Sequence, residues 1–121
     1  MPYRNELDVA LAAACEAGEV LLRHWQGESE SWGEAEGNPV TKADLEADHA
    51  IVARLRAAFP DDAVLSEETA QDASRTSRRR VWIVDPMDGT KEFIARIPEF
   101  AVSIALVEAE EPVVGVILNP A

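Results

Sequence analysis

Cysteine, basic residues and long apolar runs are all scarce in this sequence of 121 residues. A single cysteine, Cys15, excludes an internal disulfide, which argues against a small disulfide-stapled secreted domain and favours the cytoplasm. Only 11 basic side chains accompany 23 acidic ones, for a net charge of −12. Because a phosphate backbone would be repelled by that charge, a nucleic acid polymer is not an expected partner.

The apolar runs are too short to cross a membrane. The longest are Val9–Cys15, Ala101–Val107 and Val113–Leu118. All fall well below the roughly 20 residues that a membrane-spanning helix needs. The first eight residues carry Arg4 against two acids, so the positive segment of a signal peptide is missing. We therefore expect no stable membrane anchor, while peripheral association with a membrane stays open.

Apolar periodicity predicts two helices. Residues 7–25 repeat at i, i+3 and i+4, with Cys15 on the apolar face, and residues 41–58 begin at the capping residue Thr41 and end before Pro60. The side chains expected on the buried side of the second helix are Leu45, His49, Ile51, Val52 and Leu55. The acidic, glycine-rich stretch 26–38 between the helices predicts a loop.

Short apolar and β-branched runs predict strands in the remaining sequence. They cover residues 63–66, 81–84, 99–107 and 112–118. The last two predict a hairpin with a loop of four or five residues, and the polar stretch 71–80 predicts an exposed connection. Helices followed by strands indicate an α+β fold, in which two helices pack on a mostly antiparallel sheet, and not an alternating doubly wound one.

Two acids follow the strand predicted at 81–84. Asp85 and Asp88 flank a proline and a methionine and are followed by Gly89, so we expect the strand to stop at Asp85 and the chain to turn sharply. Carboxylates brought together in this way suit Mg²⁺. The same spacing also fits a capping turn whose acids are solvated.

Three further residues could join such a site. Glu67 follows the strand at 63–66 and would face the same point as Asp85 if the two strands ran parallel; a solvated loop acid is the alternative. Asp44 could instead be an acid favoured by the dipole of its helix, and Thr90 could cap the next turn.

Three segments together resemble the inositol monophosphatase superfamily. They are 38–44 (NPVTKAD), 65–68 (LSEE) and 82–93 (WIVDPMDGTKEF), in the family's order and spacing. The continuation 90–93 (TKEF) resembles the bisphosphate nucleotidase branch of that family. The resemblance implies a layered α/β sandwich and a Mg²⁺-dependent phosphatase with two or more metal ions.

The resemblance also implies ligands for the metal ions. Glu67, Asp85 and the main-chain carbonyl of Met87 match the first metal site. Asp85 bridges to a second metal that Asp88 also binds. Two metal ions of this kind hold the attacking and leaving oxygens of an in-line displacement at phosphorus.

The remaining matches concern the water and the phosphate. Thr90 and Asp44 match the pair that orients and deprotonates the nucleophilic water, with Glu67 as the third catalytic position. Gly89 and Thr90 would offer backbone donors to the phosphate at the start of a short helix. Glu67, Met87 and Asp88 would also contact the substrate.

The chain departs from the family in length. Family members are roughly twice as long, and their second half carries a Trp-Asp-x-Ala-Ala-Gly motif that this sequence lacks. We therefore expect residues 1–121 to be the N-terminal, metal-binding part of the domain. Expected substrates are adenosine 3',5'-bisphosphate or its 5'-phosphosulfate counterpart, with inositol 1-phosphate as an alternative. A catalytically silent metal-binding fragment is a third reading, and an exposed sheet edge would favour a homo-oligomer.

Overall fold

The computed structural model describes residues 2–26, 41–66 and 79–121. Its helices are α1 (Arg4–Gln26), α2 (Thr41–Ala58) and α3 (Thr90–Ile94), and its strands are β1 (Ala63–Ser66), β2 (Arg80–Asp88), β3 (Ala101–Glu108) and β4 (Glu111–Leu118). The predicted α+β class is confirmed. Most of the stretches predicted as a loop (26–38) and as a connection (71–80) lie outside the described residues, but Gln26 belongs to α1 and Arg80 begins β2.

Helix α1 packs through a stripe of small side chains. Its fully buried residues are Ala10, Ala13, Ala14, Ala17 and Leu21. They recur at the spacing of one helix face, and alanine at most of them lets neighbouring elements approach closely. Cys15 is exposed, so its predicted place on the apolar face is wrong, because the buried stripe runs through Ala14 and Ala17. None of the helices in the described residues is long and apolar enough to cross a lipid bilayer.

Helix α2 has the bounds predicted from the sequence. Its buried stripe contains Ala47, Ile51 and Leu55, as the helical period requires. His49, expected on the buried side, is exposed, and its neighbour Asp48 is buried instead. The period explains the exchange, since Asp48 precedes Ile51 by three residues and therefore shares its face.

The described strands form one sheet in the order β1-β2-β3-β4. Strand β1 runs parallel to β2, while β2–β3 and β3–β4 are antiparallel. The sheet is thus mostly antiparallel, as predicted. In the parallel pair, Leu65 lies beside Ile83 and Ser66 beside Val84.

One face of the sheet forms the core with the helices. Its buried side chains are Val64, Trp82, Val84, Val102, Ile104, Leu106, Val114 and Val116. They alternate along their strands with residues of the opposite face, where Ile117 is 79% exposed. Burial of a large aliphatic or aromatic side chain stabilises a fold by about 1.5–3 kcal/mol, so this face contributes strongly to the packing of α1 and α2.

The β3–β4 hairpin is tighter than predicted. Glu108 pairs with Glu111, so only Ala109 and Glu110 form the turn, with φ angles of 53° and 67°. A loop of four or five residues was therefore wrong. Positive φ at both central residues matches the right-handed twist of the strands, and neither alanine nor glutamate signals that conformation in a sequence.

A charged cluster closes the end of the molecule where β2 begins. Arg80 Nε donates to Asp62 Oδ1 (3.0 Å), and Arg80 Nη2 donates to Glu6 Oε2 (3.1 Å). A third carboxylate, Glu108, lies 3.5 Å from Arg80 Nη1. The indole N–H of Trp82 donates to Asp62 Oδ2 (2.9 Å). These contacts tie α1, the α2–β1 turn and β3 to the start of β2.

Candidate metal and phosphate site

Strand β2 continues through the segment where the sequence predicts a turn. Asp85 pairs with Ser103 and Asp88 with Ala101, so β2 has two residues between its pairs where β3 has one. This extra residue makes a β-bulge. The predicted stop at Asp85 is wrong, because a bulge accommodates Pro86, which has no N–H for the ladder.

The bulge presents its two acids differently. Asp85 is half-buried and its Oδ1 accepts a hydrogen bond from the Met87 N–H (3.3 Å). Asp88, three residues later, is exposed, whereas the side chain of Met87 is buried in the core. The core thus anchors the segment through Met87, and the carboxylates occupy an irregular strand end that leads into α3.

The sharp turn comes at Gly89. This residue has φ 100° and ψ 41°, a left-handed conformation that favours glycine. Helix α3 follows directly, and the N–H of Phe93 donates to the carbonyl oxygen of Gly89 (2.9 Å). Phe93 is fully buried and meets Phe100 edge-on, with ring centroids 4.9 Å apart. The start of α3, including the half-buried Thr90, is therefore fixed by the core beneath it.

The remaining predicted site residues lie on other elements. Asp44 is half-buried in the first turn of α2, the helix that packs against β1 and β2. Glu67 lies outside the described residues. The parallel pairing of β1 with β2, the condition set for Glu67 to face Asp85, is confirmed up to Ser66 and Val84.

The described part of the chain brings together only part of the predicted metal set. Within these residues, no group of three or more His, Cys, Asp or Glu side chains is close enough to hold a metal ion. Asp85, Met87 and Asp88 occupy one continuous segment, and the predicted set also needs Glu67. The ligand assignments stay predictions.

Sequence reasoning missed a buried acid beside this segment. Asp48 of α2 is 0% exposed, and its Oδ1 accepts a hydrogen bond from the hydroxyl of Ser66 at the end of β1. Its other oxygen, Oδ2, is buried without a hydrogen-bond partner among the described residues. Burial raises the pKa of the Asp48 carboxyl, while the Ser66 hydrogen bond acts in the opposite direction. The helical period, which puts Asp48 on the face of Ile51, is the signal that could have found it.

A second polar contact joins the end of α1 to the start of α2. His24 Nε2 lies 2.9 Å from Glu46 Oε1, and Arg23 Nη2 donates to Glu46 Oε2 (3.3 Å). The hydrogen bond with His24 is the main cause that holds the pKa of Glu46 below its ordinary value. This contact joins the two helices two residues after Asp44.

Comparison with known proteins gives consistent matches over nearly the whole chain. A family model described as "Inositol monophosphatase family" matches residues 3–121. The 3'(2'),5'-bisphosphate nucleotidase CysQ of Escherichia coli strain K12 is 40% identical over 117 residues, which cover 94% of this chain and 48% of that protein. A Thermotoga maritima protein named fructose-1,6-bisphosphatase/inositol-1-monophosphatase is 34% identical over 119 residues, which cover 97% of this chain and 44% of that protein.

A solved structure shows the same fold. The crystal structure of CysQ from Bacteroides thetaiotaomicron matches with a TM-score of 0.86 and 44% identity, over 98% of this chain and 43% of that chain. The chain thus spans about half the length of the curated relatives that it matches.

Proposed function

Because this chain belongs to the inositol monophosphatase family, we propose that its 121 residues form the N-terminal, metal-binding part of a Mg²⁺-dependent phosphomonoesterase. The observation that carries this proposal is the bulged end of β2. This segment carries Asp85 and Asp88 three residues apart, and the chain then turns at Gly89 into Thr90 of α3. Strand β2 pairs with β1 as far as Val84 and with β3 as far as Asp88, which gives these groups a rigid support.

The donor set fits a magnesium ion. Carboxylate and carbonyl oxygens are the ligands that Mg²⁺ prefers, and Asp85, Asp88 and the Met87 carbonyl supply them within four residues, with Glu67 following β1. Bound Mg²⁺ ions would stabilise negative charge on the attacking and leaving oxygens at phosphorus. The net charge of −12 makes such cations necessary, since a phosphate dianion would otherwise be repelled.

The chain's own polar groups would handle the water and the phosphate. The hydroxyl of Thr90 orients the attacking water. As the water loses a proton to the Thr90 oxygen, the Thr90 hydroxyl proton passes to the carboxylate of Asp44. The backbone N–H groups of Gly89 and Thr90 hold the phosphate, and the fully buried Phe93 keeps them in place from below. Glu67, which follows β1 in the sequence, would be the third catalytic residue.

We propose that the whole enzyme is a 3'(2'),5'-bisphosphate nucleotidase. Its substrate would be adenosine 3',5'-bisphosphate or the 5'-phosphosulfate counterpart, from which it would remove the 3'-phosphate. The two CysQ relatives, at 40% and 44% identity, support this branch. An inositol-1-monophosphatase is the second candidate, favoured by the relative from Thermotoga maritima. A metal-binding but silent fragment is the third, because the chain spans about half of its relatives.

Release of inorganic phosphate with Mg²⁺ tests these candidates. Adenosine 3',5'-bisphosphate should be hydrolysed faster than inositol 1-phosphate, and Asp85→Asn should abolish the reaction. Asp8→Asn, which removes an exposed acid of α1, is the matched control and should leave the rate unchanged. The reverse substrate preference would favour the inositol branch. Magnesium binding without phosphate release would identify a silent fragment, and full activity of Asp85→Asn would contradict the metal assignment.

A further inference from the structure

The hydrogen bond between Asp48 and Ser66 is not explained by packing alone. Asp48 is fully buried beside the apolar residues of its helix face, and its carboxyl accepts the hydroxyl hydrogen of Ser66. Burial of a carboxyl group costs free energy, and an apolar residue of similar volume often stabilises such a position as well or better. A buried acid at this position therefore points to a role other than stability.

The acceptor of this hydrogen bond, Asp48, lies on α2, the helix that also carries Asp44, the proposed proton acceptor. Asp44 precedes Asp48 by four residues on α2, and residues i and i+4 lie on the same helix face. Ala47 and Ile51, which flank Asp48 along the helix, are fully buried. The position of Asp44 along the sheet is therefore coupled to the point where Asp48 is held.

The donor of the hydrogen bond, Ser66, lies next to the proposed metal-binding residues. Ser66 is the last residue of β1 and lies beside Val84 of β2. The next residue in each strand's sequence is an acid proposed as a metal ligand, Glu67 after Ser66 and Asp85 after Val84. A displacement of Ser66 would be transmitted through the β1–β2 pairing to Val84 and from there to Asp85.

We propose that Asp48 is a positioning residue, which through Ser66 holds the end of β1, and with it the metal-binding segment of β2, at a fixed distance from Asp44. This inference rests on the proposed function, because it concerns the arrangement of the same site. It assigns Asp48 no contact with substrate or metal. Its loss should therefore weaken metal binding without unfolding the chain.

Magnesium affinity, measured by calorimetry on this chain, tests the inference. Asp48→Leu, which removes the acceptor at similar volume, and Ser66→Ala, which removes the donor, should each weaken Mg²⁺ binding roughly tenfold, the lower range for removal of a group that orients a metal ligand. The double variant should bind no more weakly than either single variant, since both remove the same link. Ser66→Ala removes no charge, so an equal effect of the two changes excludes a simple loss of negative charge.

Val52→Ala is the matched control for stability. Val52 is a buried residue of α2, one turn after Asp48, and its truncation should lower the thermal midpoint while Mg²⁺ affinity stays unchanged. If Asp48→Leu does not fold, Ser66→Ala answers the question alone. Unchanged affinity in Ser66→Ala, beside a wild type that binds Mg²⁺, overturns the inference and leaves the proposed function standing. A wild-type chain that binds no Mg²⁺ overturns both.

Discussion

Gly89 approaches Glu99 so closely that only a hydrogen atom fits between them. A Cβ atom at position 89 would lie 2.7 Å from the carbonyl oxygen of Glu99 and 3.1 Å from the Cα of Phe100. Both obstacles are backbone atoms, which cannot rotate away. The chain segment before β3 therefore determines the residue type at the turn of the candidate site.

Gly89→Ala should lower the free energy of unfolding by about 1–3 kcal/mol, because left-handed strain adds to the contact with Glu99. The change should also weaken Mg²⁺ binding, since the turn must shift. Urea unfolding and calorimetry measure the two effects. Gly115→Ala is the control, since no atom of the described residues lies within 4 Å of a Cβ placed there. Equal stability of the two variants would contradict the argument.

Arg80→Ala should lower the free energy of unfolding by about 1–3 kcal/mol, because it leaves Asp62 and Glu6 without their shared cation. The Arg80 side chain is only 22% exposed, whereas that of Arg79, which also pairs with Glu108, is 72% exposed. Arg79→Ala should therefore change stability by less than about 1 kcal/mol. Chemical unfolding of both variants decides this, and a larger loss in Arg79→Ala would refute it.

The stability of the wild type should fall relative to that of Asp48→Asn as pH rises above about 4. Burial raises the folded-state pKa of Asp48 above its ordinary value of 3.8, while the hydrogen bond from Ser66 and the nearby His49 and Arg56 act in the opposite direction. The fold is therefore more stable with this carboxyl protonated than with it ionised. Its contribution is complete below the unfolded pKa and is lost as pH rises through the folded one. Urea unfolding of the wild type and of Asp48→Asn, at about five pH values from roughly pH 3 to pH 8, measures the difference in stability. A difference that does not change with pH would contradict the prediction.

Ala109→Asn combined with Glu110→Gly should raise the free energy of unfolding by about 1 kcal/mol. Both positions have positive φ, and asparagine followed by glycine is the pair that two-residue hairpin turns prefer. Because the turn is remote from β2's bulge in the sheet register, Mg²⁺ affinity should not change. A thermal midpoint equal to or below that of the wild type would argue against this assignment of the turn.

Periodic apolar patterns predicted the elements well where the chain is regular. The bounds of α2 and β1 agree with prediction, and α1 was placed to within three residues at its start. The departures occur where one residue type was interpreted by its usual behaviour. Proline usually ends a strand, but β2 bulges around Pro86. Cys15 fits the apolar repeat of its helix, yet it is exposed.

The candidate site divides in the same way. The segment around Asp85 and Gly89 is predicted by its own residues and by the family resemblance, and the structure adds the bulge, which the sequence does not predict, and the left-handed turn at Gly89. Asp48 was missed because acids are assumed to face solvent, and only the packing of α2 on the sheet shows that it does not. Its partner, Ser66, carries no sequence signal for that role.

The two-residue turn between β3 and β4 has a consequence for the order of folding. Closing so short a loop costs little chain entropy, and hairpins form within microseconds. The parallel contact of β1 with β2 must instead close the longer connection between Ser66 and Arg80. We therefore expect the β3–β4 hairpin to form early and β1, with the acid that follows it, to dock late, so the metal site would be completed only in the last steps of folding.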